Sequence, residues 1–129
     1  MNIPNDLKYS QSHEWIRVEG DTGTVGITDF AQHELGDIVF VEAPAVGASV
    51  SAGAQMGSVE SVKAVSEVNS PASGKVVEVN AEPADHPELL NSDPYGAGWM
   101  IKITLTNPGE IAGLMDAAAY AKYVAESAH

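Results

Sequence analysis

Val59-Glu60-Ser61-Val62-Lys63-Ala64-Val65-Ser66-Glu67-Val68 reads the same outward in both directions from its Lys63-Ala64 centre. Val62 mirrors Val65, Ser61 mirrors Ser66, Glu60 mirrors Glu67 and Val59 mirrors Val68. Antiparallel partners keep a constant sum of residue numbers, so a hairpin with a two-residue turn would pair these positions. The pattern predicts two β-rich strands with Lys63 in the turn, at an exposed tip. Two features work against stability. The favoured two-residue turns select Asn-Gly or Asp-Gly, because both central residues of the commonest type need positive φ; Lys-Ala supplies neither. The mirrored register would also set Glu60 against Glu67, and facing like charges are unfavourable. Such local conflicts concentrate at functional sites, although a solvated tip with an incidental lysine would show the same pattern.

Outward from the hairpin, short Val- and Ile-rich runs recur. Trp15-Ile16-Arg17-Val18 and Thr24-Val25-Gly26-Ile27 read as strands joined through Gly20, Asp21 and Gly23. Ile38-Val39-Phe40-Val41, residues 49–52, Lys75-Val76-Val77-Glu78-Val79 and residues 100–105 extend the list. Thr28-Asp29 can cap a short helix running to Leu35, which Gly36 ends, and a helical turn is expected over 87–90. From Asp116 an Ala-rich stretch with Ala119, Tyr120, Tyr123 and Val124 at helical spacing predicts a terminal amphipathic helix. Many short strands with small helices appended favour a sandwich or barrel over a doubly wound sheet.

The 129 residues suffice for one domain with its own core, and the absence of cysteine excludes disulfide scaffolds, thiolate metal sites and Cys nucleophiles. A net charge of −12 opposes nucleic-acid binding, since the cations Lys8, Arg17, Lys63, Lys75, Lys102 and Lys122 are few and scattered. The acidity serves solubility, or steering toward basic partner surfaces, or both. No apolar run approaches a membrane span, and residues 1–9 show no basic and apolar leader pattern, so a cytoplasmic protein is expected. His13, His33, His86 and His129 are dispersed, so no metal site is expected. Trp15 and Trp99 are expected in strands, packed in the core. Gly57 and Gly74, on either side of the hairpin, are expected to serve backbone geometry.

A lysine nucleophile must shed its proton, through burial or a neighbouring cation. The sequence neighbours of Lys63 are instead Glu60 and Glu67, which stabilise an ammonium. Lys63 therefore reads as an accessible substrate for an acylating enzyme, and no nucleophile–base constellation elsewhere suggests an enzyme.

Glu60-Ser61-Val62-Lys63-Ala64, followed by Ser70-Pro71-Ala72-Ser73-Gly74 and Val76-Val77-Glu78-Val79-Asn80, resembles the lipoyl segment of the glycine cleavage H-protein family. His13-Glu14-Trp15, Gly26-Ile27-Thr28-Asp29-Phe30-Ala31-Gln32, Leu35-Gly36-Asp37-Ile38-Val39-Phe40-Val41-Glu42, Leu90-Asn91, Asp93-Pro94-Tyr95-Gly96 and Gly98-Trp99-Met100-Ile101-Lys102-Ile103 extend the resemblance from about Leu7 to the terminal helix. It implies a mainly β fold, a barrel-sandwich hybrid of the lipoyl/biotinyl type. Two small antiparallel sheets would carry short helices and a C-terminal α-helix, in a single domain over 1–129 with the hybrid core at about 12–105 and the helix at about 116–126.

The resemblance also implies a non-catalytic carrier with (R)-lipoate attached covalently to Lys63, between the motif flanks Glu60, Val62 and Ala64. The arm would take the aminomethyl group of glycine from a pyridoxal-phosphate-dependent glycine decarboxylase and pass it to a tetrahydrofolate-dependent aminomethyltransferase. Dihydrolipoamide dehydrogenase would reoxidise it, and lipoate-attaching enzymes would install it. A monomer is expected of a carrier that visits several partners. By the same resemblance Ser12, Glu14 and Glu67 are candidates for a cleft that shelters the loaded arm, whereas taken singly the two acids read equally well as solvated. His33 falls in a variable stretch of the family and is not assigned to the cleft. With no cysteine, the chain offers a bound dithiol no internal thiol for exchange.

Rivals of related fold are a biotinyl carrier, which characteristically has methionines beside its lysine, and a 2-oxo-acid dehydrogenase lipoyl domain, which is shorter and followed by Pro/Ala-rich linkers. A lipoyl relay protein, passing the group to other acceptors, shares the same lysine and stays open.

Overall fold

The structure, a computed structural model, describes residues 2–127. Met1, Ala128 and His129 lie outside the described residues, and with them the fourth histidine. In chain order the strands are β1 (Lys8–Tyr9), β2 (Glu14–Glu19), β3 (Thr22–Ile27), β4 (Ile38–Glu42), β5 (Ser49–Val50), β6 (Gln55–Ser61), β7 (Val65–Asn69), β8 (Gly74–Val79) and β9 (Ile101–Leu105). They form a six-stranded antiparallel sheet in the order β1-β2-β3-β9-β8-β5 and a three-stranded sheet in the order β4-β6-β7. Helix α1 (Asp29–Leu35) forms where the sequence places it. Thr28 Oγ1 accepts the Ala31 N–H at 3.2 Å, and Gly36, at φ +76°, closes the last turn by donating to the Gln32 carbonyl. Helix α4 (Ala117–Ser127) starts on Asp116, whose Oδ1 accepts the Ala119 N–H at 2.8 Å.

Alternation along β2 divides the apolar side chains between two clusters. Ile16 faces the space between the sheets and packs with Val25, Ile101, Ile103 and Val76 of the large sheet and with Met56, Val59 and Val68 of the small one. Trp15 points the other way, into a second cluster with Leu7, Tyr9, Phe30, Tyr95 and, from α4, Ala117, Tyr120 and Val124. Burying such side chains contributes about 1.5–3 kcal/mol each, so β2 is held from both faces. The Trp15 ring fits because its cross-strand partner is Gly26, where a Cβ would stand only 2.9 Å from the ring atoms. Its Nε1 donates to the Pro94 carbonyl at 3.0 Å.

The hairpin register differs from the mirrored one. β6 and β7 pair Glu60 with Val65, Val59 with Ser66 and Ser58 with Glu67, so the tip is centred on Val62-Lys63 and flanked by Ser61 and Ala64. The two glutamates do not face each other, and the like-charge penalty is avoided. Neither tip residue has positive φ; among the described non-glycine residues only His13 does, at +72°. Ser61 makes that possible. Its N–H donates to the Ala64 carbonyl at 2.8 Å, while its Oγ accepts the N–H groups of Lys63 at 3.3 Å and Ala64 at 3.1 Å. A side-chain oxygen thus takes the place of a tight turn's second backbone bond.

Other departures are small. The strand expected over 49–52 covers Ser49–Val50, Trp99 precedes β9, and the turn expected over 87–90 is α3 (Leu89–Ser92), preceded by a further turn, α2 (Glu82–Asp85). β1 and a 3-10 turn at Pro108–Gly113 are too short to leave a periodic signature. Gly57 has a geometric duty: a Cβ there would fall inside the contact radius of the Glu42 carbonyl oxygen on β4. Gly57→Ala should therefore lower the melting temperature by roughly 10 °C through forced separation of β4 and β6. A melting temperature within about 2 °C of the parent's would show that the sheet absorbs the methyl group.

Candidate functional site

Two structures meet along the Lys63 hairpin: the tip that presents the amine, and the seam where its far end reaches the large sheet. The tip rests on the corner between α1 and β4. Val62 donates its N–H to the Asp37 carbonyl at 3.0 Å, and the Lys63 Cε lies over Gly36, 3.6 Å from where a Cβ would stand. Asn91 fixes that corner. Its Oδ1 accepts the Ile38 N–H at 3.0 Å and its Nδ2 donates to the Gly36 carbonyl at 2.8 Å and to Gln32 Oε1 at 3.0 Å. The motif flanks Glu60, Val62 and Ala64 are exposed around Lys63, itself exposed, while Ser61 is buried beneath them. An anchored backbone holds a free amine outward.

At the seam, Glu14 is the most deeply buried ionisable side chain of the site candidates, 1 % exposed. Its Oε1 accepts the hydroxyls of Ser12 at 2.5 Å and Ser10 at 2.6 Å, and its Oε2 accepts the Asn69 N–H at 3.1 Å. Ser12 and Glu14 are therefore brought together, and Glu14 is not a solvated acid. Glu67 is exposed on the same face of β7 as Asn69, one pleat repeat or roughly 6.6 Å nearer the tip. It makes no ion pair with the described residues. A groove of about 700 Å³ opens beside this seam, lined among others by Ser10, Ser12, Asn69, Leu114 and Met115. It lies at the opposite end of β7 from Lys63.

Ser10 and Asn69 are the partners that sequence reasoning missed. Asn69 acts through its backbone N–H, which leaves no mark on residue identity. The segment carrying Ser10 and Ser12 is held from behind by α4. His13 Nδ1 hydrogen-bonds the Tyr120 hydroxyl at 2.9 Å, and that hydroxyl also bonds Thr28 Oγ1 at 2.7 Å. Tyr123 donates to the Gln11 carbonyl at 2.9 Å, and the His13 ring lies 4.7 Å from that of Phe30. Burial lowers the His13 pKa below its ordinary value, which favours the neutral imidazole in this aromatic nest. His33 is exposed at the end of α1.

Among the described residues no group of three or more His, Cys, Asp or Glu side chains is gathered to hold a metal ion, and no helix is long and apolar enough to cross a membrane.

The family model for the glycine cleavage H-protein matches residues 7–127. A glycine cleavage system H protein of Symbiobacterium thermophilum is 59 % identical over 97 % of this chain and 98 % of its own length. The mitochondrial H protein 2 of Arabidopsis thaliana is 56 % identical over 96 % of this chain and 80 % of its own. The crystal structure of a glycine cleavage system H protein from Mycobacterium marinum superposes with a TM-score of 0.85 at 42 % identity, covering 98 % of this chain and 100 % of that one.

Burial raises the Glu14 pKa above its ordinary value, and the hydrogen bonds from Ser10, Ser12 and Asn69 offset only part of that rise. The folded state then holds a proton over a pH range in which the unfolded chain has lost it. This contribution to stability is complete below the ordinary value of 4.5 and is lost as pH climbs through the raised one. Glu14→Gln abolishes the titration, so its melting temperature should gain on the parent's as pH rises from about 4.5 toward neutrality. A difference that stays constant across that range in thermal melts would contradict the raised pKa.

Proposed function

Because the chain belongs to the glycine cleavage H-protein family, the lipoyl carriers of the glycine cleavage system, we propose that Lys63 is its point of lipoyl attachment. The chain is a carrier subunit of that system and not itself a catalyst. The observation that supports Lys63 is the tip itself: an exposed primary amine on a backbone held by Ser61 and by the α1–β4 corner. Attachment forms an amide between Lys63 Nζ and the carboxyl carbon of lipoate supplied as an activated acyl donor. The donor's leaving group departs with the acyl bond it breaks, and the amine gives up a proton.

The residues present fit this group: the amine is unhindered, the flanks Glu60, Val62 and Ala64 are open to an attaching enzyme, and the chain has no thiol of its own. When bound, (R)-lipoate supplies a disulfide able to take up the aminomethyl group derived from glycine, and a dithiol to be reoxidised. The partners on this reading are the pyridoxal-phosphate-dependent glycine decarboxylase, the tetrahydrofolate-dependent aminomethyltransferase, dihydrolipoamide dehydrogenase and the lipoate-attaching enzymes.

The chain's remaining task is to protect a cargo that carries a charged amine. Glu67 offers an exposed carboxylate on the path along β7, and Glu14 a buried one whose Ser12 and Ser10 hydroxyls can turn to admit a new donor. Charge-assisted hydrogen bonds of this kind are about twice as strong as neutral ones. Removal from water slows loss of the cargo.

Incubation with a lipoate ligase, lipoate and ATP should add one lipoyl mass to the parent and none to Lys63→Arg. Mass that persists in Lys63→Arg would overturn the assignment. For the cleft, Glu14→Ala should release ammonia from the loaded carrier about tenfold faster than the parent, the loss of a single charge-assisted contact. An unchanged release rate would remove Glu14 from the sheltering role.

A further inference from the structure

The small sheet has an outward face that the carrier reading does not use. A bulge in β4 between Ile38 and Phe40 breaks the in–out alternation. Val39 and Phe40 are in consequence exposed together, at 49 % and 53 %. Phe40, Glu60 and Val65 lie in one row across the three strands, with Val65 at 69 % and the tip's Val62 at 74 %. Four large apolar side chains thus cluster beside Lys63. The adjoining row is Glu42, Ser58 and Glu67, and Asp37 borders the tip through its bond to Val62. β4, β6 and β7 contain three glutamates and no Lys or Arg. The cations of the other elements lie on β1, β2, β8, β9 and α4.

We propose that this face is the docking surface for the enzyme that acylates Lys63, and that it fits a partner presenting an apolar pocket rimmed by Lys and Arg; the proposal rests on the Lys63 assignment above. Reach selects this partner. An enzyme acting on the finished arm can stand off by the arm's length, whereas the attaching enzyme must bring the bare Nζ to its acyl donor. The surface around the tip is then inside its interface, and this patch adjoins the tip through Val62, Val65 and Phe40. Aromatic residues, Phe among them, are enriched in the cores of interfaces, and charges on the rim govern approach. A second copy of the chain fits poorly, because pairing the face with itself opposes like carboxylates.

Lipoylation kinetics of the unmodified carrier with a lipoate ligase, lipoate and ATP test this, read by intact mass. Phe40→Ser and Val65→Ser, at exposed positions, should each raise the KM for the carrier about tenfold while kcat at saturation is kept. Glu42→Lys should raise KM further and flatten its dependence on salt. Val77→Ser, at an exposed position on β8 of the other sheet, should leave both parameters at the parent's values. KM within about twofold of the parent in both Phe40→Ser and Val65→Ser would overturn the proposal. So would an equal rise in Val77→Ser, or a parent dimer that Phe40→Ser converts to monomer. If the parent itself gains no lipoyl mass, the Lys63 assignment falls and this proposal with it.

Discussion

A single buried carboxylate ties the two sheets together at the end remote from the tip. Glu14 leaves β2 of the large sheet and accepts from Ser10, Ser12 and the Asn69 N–H that ends β7 of the small one. A buried ion without partners costs several kcal/mol, so the bonds to Glu14 are obligatory, and they fix where the hairpin's base lies. With the base fixed, the hairpin projects its tip over the α1–β4 corner, where Asn91 has already set the height of Asp37. The lysine's position follows from anchors at both ends of one strand pair.

On the proposed reading, the same carboxylate would link structure to cargo. It is costly as a charge in its buried setting, which is the condition under which a cationic group is most welcome beside it. The serines that satisfy it are hydroxyls, which can reorient toward a replacement partner without moving the backbone. Their segment is held by the His13–Tyr120–Thr28 bonds and by the Tyr9–Tyr120 stack at 4.6 Å. His13 keeps its left-handed backbone conformation among these contacts.

Much of this was legible in the residues. Thr28 and Gly36 bounded α1, Asp116 announced α4, and alternation marked the main strands, because each signal is local. The mirrored sequence located the tip but placed its centre one residue late. Side-chain identity is symmetric there, and the asymmetry comes from Ser61 Oγ capturing two backbone N–H groups. The β4 bulge was invisible, since Ile38-Val39-Phe40-Val41 reads as an unbroken strand. Glu14 and Ser12 entered through family resemblance; that Glu14 is buried, and that Ser10 and the Asn69 backbone complete its shell, are tertiary facts without a sequence period.

The placement of Tyr120 has a consequence for how the chain is made. Residues 7–15 find their partners near the end of the described chain: Tyr9 exchanges backbone bonds with Met115, just before α4, and stacks on Tyr120, and Trp15 shares its cluster with Tyr120 and Val124. In a growing chain the cover over Leu7, Tyr9 and Trp15 stays incomplete until α4 has formed. Contacts so distant along the chain form late and slowly. The hairpin with Lys63 pairs only with β4 in its own sheet, all of it earlier in the chain than α4. The aromatic cluster, and with it the hold on the segment that carries Ser10 and Ser12, is complete only once α4 is in place.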